Sequence, residues 1–293
     1  MKGKYLKKSS MLEILDPGLY CSLQDEGRVA QGDIAVPFSG AMDRQSLHLA
    51  NHILQNDLNA SCLEFASPGP TLKFHYSTTI TITGAKAFLV LNGKSIAPAN
   101  NAILSLKPDD VIKIKTLESG SWAYLGIVGG FDSEKVLGSQ SLSPGITVLS
   151  GLLKGNTINY SSQDFLFSAS SSRVKPAFPW EKVKVLKVRK GPEFSLLPEE
   201  IIRKLRTDSF SFTSERNRMA APIHELLPAN RLEILTSPIF PGMVQLTPGG
   251  KMILLLMEAQ ITGGYPRILF MEEPQRNLAV QMKPGQKFMF EIV

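Results

Sequence analysis

Apolar and polar positions along this chain repeat with a period of two far more often than with a period of 3.6. Thr79-Ile80-Thr81-Ile82-Thr83 alternates throughout and Val111-Ile112-Lys113-Ile114-Lys115 nearly so, the pattern of strands buried on one face. Val183-Lys184-Val185 and Phe288-Met289-Phe290-Glu291-Ile292-Val293 behave alike. Asn92-Gly93 predicts a type I′ hairpin between Phe88-Leu89-Val90-Leu91 and Lys94-Ser95-Ile96, since both central positions need positive φ. Two stretches carry the helical period instead. Asp43 to Leu54 aligns Leu47, Ala50 and Leu54, with Ser39 to Asp43 offering the cap. Pro198 to Arg206 opens on Pro198, Glu199 and Glu200 and closes on Arg203, Lys204 and Arg206, as the helix dipole favours. A mainly β chain with few short helices is expected.

The chain also echoes itself. Pro68, Thr83 and Lys107 in the first half answer to Pro248, Thr262 and Lys283 in the second, each within a similar local motif and in the same order. Each half closes on a Lys-Pro turn into a strand, which predicts two β domains related by internal duplication. The boundaries expected are a disordered leader at 1–10, an N-terminal domain at 11–175 and a C-terminal domain at 182–293. Ser168 to Trp180, rich in Ser, Pro and Ala, reads as the linker.

With 43% hydrophobic and 20% charged residues in 293, the chain has enough apolar material for two packed domains. The net charge of +6 suggests nucleic acid, but Lys2, Lys4, Lys7 and Lys8 supply four of those charges, leaving the body near +2. No basic stripe interleaved with aromatics follows, so a nucleic-acid partner is not expected. The longest apolar run, Met252 to Met257, is far short of the ~20 residues that span a bilayer, and the leader lacks the apolar core of a signal peptide. A cytoplasmic protein without a membrane partner is the expectation. Cys21 and Cys62 form no disulfide framework and read as small buried hydrophobes.

His48 and His52 share a helical face, but Leu49 stands where a hydrolytic zinc site needs Glu, so no metal is expected. Neither a Gly-x-Ser-x-Gly elbow nor a phosphate-binding P-loop occurs, so no cofactor is bound through a recognisable motif. What remains is a set of polar and glycine positions. They are Gln24-Asp25-Glu26-Gly27-Arg28, then Ser39, Met42 and Asp43, then Asn217-Arg218-Met219, Gln245, and the loop Gln260 to Tyr265 with Thr262, Gly263 and Gly264. Convergent Arg, Asp, Gln and backbone N–H groups suit a small substrate carrying carboxylate and amide. On the residues alone the structural reading is favoured over that one, with Asp-Arg pairs holding loops together and the glycines permitting tight turns. No acid, base or nucleophile can be assigned among them.

Several of these motifs, in order, carry a resemblance. Asp16-Pro17-Gly18-Leu19, Gln24-Asp25-x-Gly27-Arg28, Val36-Pro37-x-Ser39-Gly40-Ala41-Met42-Asp43 and Leu49-Ala50-Asn51 belong to it. So do Gly191-Pro192, Asn217-Arg218-Met219, Pro241-Gly242 and Gln260-x-Thr262-Gly263-Gly264-Tyr265-Pro266. From about Met11 to Val293 the chain resembles the allophanate hydrolase subunit 2-like, or biotin-dependent carboxyltransferase-like, family. The resemblance implies paired cyclophilin-like β-barrels, in keeping with the echoes. It implies the C-type member of an ATP-dependent 5-oxoprolinase, opening 5-oxo-L-proline to L-glutamate with a subunit-1/KipI-like partner and a LamB/YcsF-like partner, and inactive alone. ATP would then be used by the assembled complex.

Two alternatives stay open under the same resemblance. One is a KipA-like regulator that antagonises a kinase inhibitor. The other is a carboxyltransferase-type subunit of a urea carboxylase or allophanate hydrolase system, with biotin arriving on another protein. The candidate substrate contacts are Asp25, Arg28, Ser39 and Asp43, facing Arg218, Gln245, Gln260 and Tyr265, with Thr262, Gly263 and Gly264 alongside. Arg218 is expected to clamp an oxyanion, so that its loss lowers activity more than stability. The sequence departs from the family pattern at Gln140, Ala220 and Ala259. Relatives carry arginine in place of Gln140 and Ala259.

Overall fold

The alternating segments form strands of two main sheets in a computed structural model that describes residues 8–28, 31–97, 100–162 and 175–293. The chain divides into two compact units, Met1–Gly27 with Arg44–Phe178, and Arg28–Asp43 with Pro179–Val293. Both are mainly β, and three short α-helices accompany them among the described residues: α1 (Arg44–Ile53), α2 (Glu199–Thr207) and α3 (Glu273–Gln281).

In the first unit the strands run in the order Cys21–Gln24, Cys62–Phe65, Asp110–Ile127, Thr71–Phe74, Lys8–Asp16, Thr157–Ser162 and Phe131–Asp132. The long strand Thr78–Leu91 pairs antiparallel with Asp110–Ile127, its register shifting three times between Gly84 and Leu89. Ile112 and Ile114 enter the core while Lys113 and Lys115 stay exposed, as the alternation predicts. At Thr81 and Thr83 the pattern departs from expectation, because both threonines are fully buried along with Ile80 and Ile82. The cause is α1, which covers the outer face: Thr83 Oγ1 donates to Ser46 O at 2.6 Å, and Leu47, Ala50 and Leu54 are buried there. The helix sits so close that a Cβ on Gly126 would come within 3.1 Å of Ala50 Cβ and Leu54 Cδ1.

In the second unit the order is Phe210–Ser211, Lys287–Ile292, Val185–Lys190, Arg267–Phe270, Met243–Leu246, Met252–Leu255 and Ala220–Pro222. Val185–Lys190 and Lys287–Ile292 are parallel; the other pairs are antiparallel. Phe212 stacks on Phe288 at 4.9 Å between ring centroids, and Phe210 lies 5.2 Å from Phe290. Ile201 and Leu205 bury the apolar face of α2 against Lys287–Ile292.

Four expectations need correction or qualification. Lys8, Ser9 and Ser10 are not leader: they pair with Ser162, Ser161 and Tyr160, since backbone pairing needs no apolar side chains. Residues 1–7 lie outside the described residues, as do 163–174, which include 168–174 of the expected linker. Arg28–Asp43 groups with the second unit although it interrupts the first in sequence, so no single cut in the chain separates the two. Two of the three echoes lead into strands at both places. Pro68 precedes Thr71–Phe74 and Pro248 precedes Met252–Leu255. The Lys107-Pro108 and Lys283-Pro284 turns each pass through positive φ, +66° at Asp109 and +80° at Gly285, into Asp110–Ile127 and Lys287–Ile292. Thr83 and Thr262 do not correspond: the first lies buried within a 14-residue strand, the second exposed in a two-residue strand paired with Ser237–Pro238. No helix among the described residues is long and apolar enough to cross a membrane.

Candidate functional site

Asp25 ends the strand Cys21–Gln24, and its carboxylate is consumed by its own surroundings. Oδ1 accepts from Gly27 N at 2.8 Å, Ser139 Oγ at 2.6 Å and Ser141 Oγ at 2.6 Å, while Oδ2 accepts from Gln140 N at 2.7 Å. Gly27, at φ +85°, makes the turn that brings its N–H back onto the carboxylate. The Gln140 side chain faces inward, donating to Phe131 O and Ser133 O and accepting from Ser61 Oγ. A guanidinium could donate to those carbonyls but could not accept from Ser61, so the amide is fitted to this loop. Asp25 therefore stands as a lock between two loops of the first unit.

The same unit accounts for His48 and both thiols. His48 bonds Glu26 Oε1 through Nε2, and Arg44 donates to Glu26 O at 2.7 Å, so Glu26 ties the start of α1 to the end of the first strand run. No three His, Cys, Asp or Glu side chains among the described residues converge as metal ligands. Burial, with a smaller contribution from the charge of Glu64, pushes the Cys21 thiol up to about 12, and burial pushes Cys62 up as well. Neither thiol is available as a thiolate nucleophile near neutral pH.

The second unit assembles several of the expected residues around the Arg28–Asp43 segment. Its backbone is fastened on residues 255–258, which donate on one side to Met219 O and Arg218 O from Leu256 N and Glu258 N, both at 2.9 Å. On the other side Leu255 O accepts from Gly242 N and Met257 O from Ser39 N, at 2.9 and 2.8 Å. Ser39 adopts φ +55°, unusual for a residue with a Cβ, and Gly40 follows at +86°. Arg218 is 5% exposed and spends its guanidinium internally, Nε on Glu258 Oε1 at 2.8 Å and Nη2 on Gly40 O at 2.6 Å. Asp43 Oδ2 accepts from Gln281 Nε2 at 2.8 Å, both side chains buried. Arg28 is buried in the same segment, its N–H closing on Phe38 O.

Gln245, Gly263 and Tyr265 form a separate group. Gln245 is buried and reaches Tyr265 O at 3.3 Å; a Cβ on Gly263 would fall 2.7 Å from Gln245 Nε2, so a larger residue there would push that amide aside. Gln260, Thr262, Gly264 and Tyr265 are exposed. Arg267 anchors this loop, donating to both oxygens of Glu193 at 3.0 and 2.5 Å and to Pro238 O at 2.9 Å. The hydrogen bond from Arg267 holds the Glu193 carboxyl below the usual range. Ala259 packs with Ile239, Met243 and Leu255 in an apolar cluster.

Of the expected contacts, then, Arg28, Ser39, Asp43 and Arg218 belong to one neighbourhood of the second unit, and Gln245, Gly263 and Tyr265 to another. Asp25 belongs to the first unit. Sequence reading missed Glu258, Gln281 and Asn277. Glu258 was visible as the acid opening the Gln260 loop; Gln281 and Asn277 lie on α3, whose buried face carries Arg276, Asn277 and Gln281 and so hides the helical period.

A family model described as carboxyltransferase domain, subdomain A and B, matches residues 34–292. The C-type 5-oxoprolinase subunit of Escherichia coli (strain K12) is 30% identical over 288 residues, 96% of this chain and 90% of that protein. The protein of the same name from Haemophilus influenzae is 25% identical over 288 residues, 97% of this chain and 91% of the relative. Among solved structures, the K. lactis urea amidolyase superposes with a TM-score of 0.82 at 25% identity, over 99% of this chain but only 19% of that one.

Proposed function

Because the chain belongs to the family of carboxyltransferase domains A and B, we propose that it serves as the C-type subunit of an ATP-dependent 5-oxoprolinase, opening 5-oxo-L-proline to L-glutamate together with partner subunits. The observation that carries this reading is similarity along nearly the full length of both chains: the E. coli 5-oxoprolinase chain is matched over 90% of its length, whereas the urea amidolyase is matched over 19%. Opening a lactam requires activation of a stable amide. With no nucleotide motif in this sequence, ATP is handled on, or shared with, a partner of the subunit-1/KipI-like or LamB/YcsF-like kind. This chain contributes buried polar positions on a rigid β scaffold, suited to holding a small substrate rather than to supplying a nucleophile.

The test is reconstitution. The chain, both partner subunits, ATP and 5-oxoproline should yield glutamate and ADP, and the chain alone should yield neither. Failure of the complete mixture to form glutamate sinks the reading. The likeness to urea amidolyase favours a second one, carboxyl transfer to urea from biotin carried on another protein. Urea-dependent ATP turnover blocked by avidin is its signature.

A further inference from the structure

Ser39 Oγ and Asn277 Oδ1 are buried polar atoms of the second unit that make no hydrogen bond. Ser39 is 0% exposed and Asn277 6%. Two ties bring their elements together. Asp43, at the end of the Ser39 loop, is held by Gln281, which lies one helical turn beyond Asn277 on the same face of α3. Ser39 N and Gly242 N take Met257 O and Leu255 O, successive outward carbonyls of one segment. Arg276, next to Asn277, donates to Pro241 O and lies 3.4 Å from where a Gly242 Cβ would stand. The residue with the orphaned hydroxyl also has the strained backbone, φ +55°. Uncompensated polar burial and αL strain are both costs to folding, and where they coincide they mark a place shaped for something other than stability.

We propose that Ser39 Oγ and Asn277 Oδ1 recognise the amide group of a small ligand, the Ser39 hydroxyl donating to its carbonyl oxygen and Asn277 Oδ1 accepting its N–H. Lactams, primary amides and ureas share that N–H beside a C=O. The inference rests on the amide-opening function proposed above and assigns that substrate its contacts. Both atoms are out of reach of bulk water, so a ligand arrives as the Ser39–Asp43 loop shifts on its fastenings at Met257 O, Arg218 and Gln281.

Calorimetric titration of the full chain with 5-oxoproline, 2-pyrrolidinone and urea tests it, with proline, which lacks the lactam carbonyl, as control. The variants are Ser39→Gly and Asn277→Ala. Glycine accepts the φ of Ser39 without strain, so Ser39→Gly deletes the hydroxyl and keeps the loop. The expected result is saturable binding of the amide ligands and not of proline. Each variant should bind about tenfold more weakly, the loss of one hydrogen bond, with the Tm of Ser39→Gly no lower than the parent's. Preference for 5-oxoproline or for urea separates the two sources of the amide. No binding to the parent chain, or equal binding by both variants, overturns the subsite. A reconstituted complex that forms glutamate with parental KM in both variants also overturns it and leaves the function standing. Binding lost in the variants, with no glutamate from the parental complex, leaves the subsite and removes the function.

Discussion

Asp25 and Ser39 stand close in sequence, are both buried, and meet opposite fates. The carboxylate of Asp25 receives four donors from its own turn and the Ser139–Ser141 loop, so every strong direction around it is taken. Ser39 is gripped by its backbone, and its loop by Gly40 O and the Asp43 side chain, while its hydroxyl receives nothing. The difference separates a polar residue that holds the fold from one left over by it. A buried group whose hydrogen-bonding capacity is exhausted has none left for a substrate, whatever motif contains it.

The largest effect that could break this contrast lies at Arg218, the fastening of the Ser39 loop. Its guanidinium is paired with Glu258, whose side chain is only 11% exposed, so Arg218→Ala should cost about 3 kcal/mol by stranding that carboxylate. Denaturant titration measures it, and the double variant Arg218→Leu with Glu258→Leu should recover part of the loss. The oxyanion-clamp expectation forecasts the reverse: an intact Tm with activity gone in the reconstituted complex. That outcome would return Arg218 to the substrate.

Asp25→Ala comes next, at about 3 kcal/mol, since buried donors lose their acceptor and only some re-pair among Ser139 and Ser141. A parental Tm for that variant would erase the distinction drawn between Asp25 and Ser39.

The smallest effect sharpens the contrast through pH. Glu193, another saturated carboxylate, has its folded pKa lowered chiefly by the hydrogen bond from Arg267. Its contribution is therefore complete above the unfolded value, about 4.3, and is lost as pH falls through the folded one. Unfolding free energies measured down that acid range should fall less steeply in Glu193→Gln than in the parent. Equal slopes would show that the Arg267 pair contributes nothing.

How much of this was legible beforehand depends on the range of the interaction. The strands at 79–83 and 111–115, the Asn92-Gly93 turn with φ +47° and +82°, and helices α1 and α2 were all readable, each a local matter of side-chain period or backbone preference. α3 was not, because its buried residues mix polar Arg276, Asn277 and Gln281 with Ala279 and Val280, which breaks the apolar rhythm that marks a helix. Nor could alternation show that Thr81 and Thr83 would be buried on the second face, since that needs the distant α1 to pack there.

The sequence by itself determined the β class, the positions of the main turns and the family, because periodicity, turn chemistry and ordered motifs are written within a few residues of one another. Which motif residues are spent and which remain free was decided only in three dimensions. Asp25 meets its partners from Ser139 to Ser141 at separations of 114 to 116 positions, Arg218 meets Gly40 across 178, and Asp43 meets Gln281 across 238. Whether a hydrogen bond is satisfied depends on those distant partners. A motif can therefore name Asp25, Ser39 and Arg218 together, while only the packed chain separates the two that hold loops from the one whose hydroxyl is still unpaired.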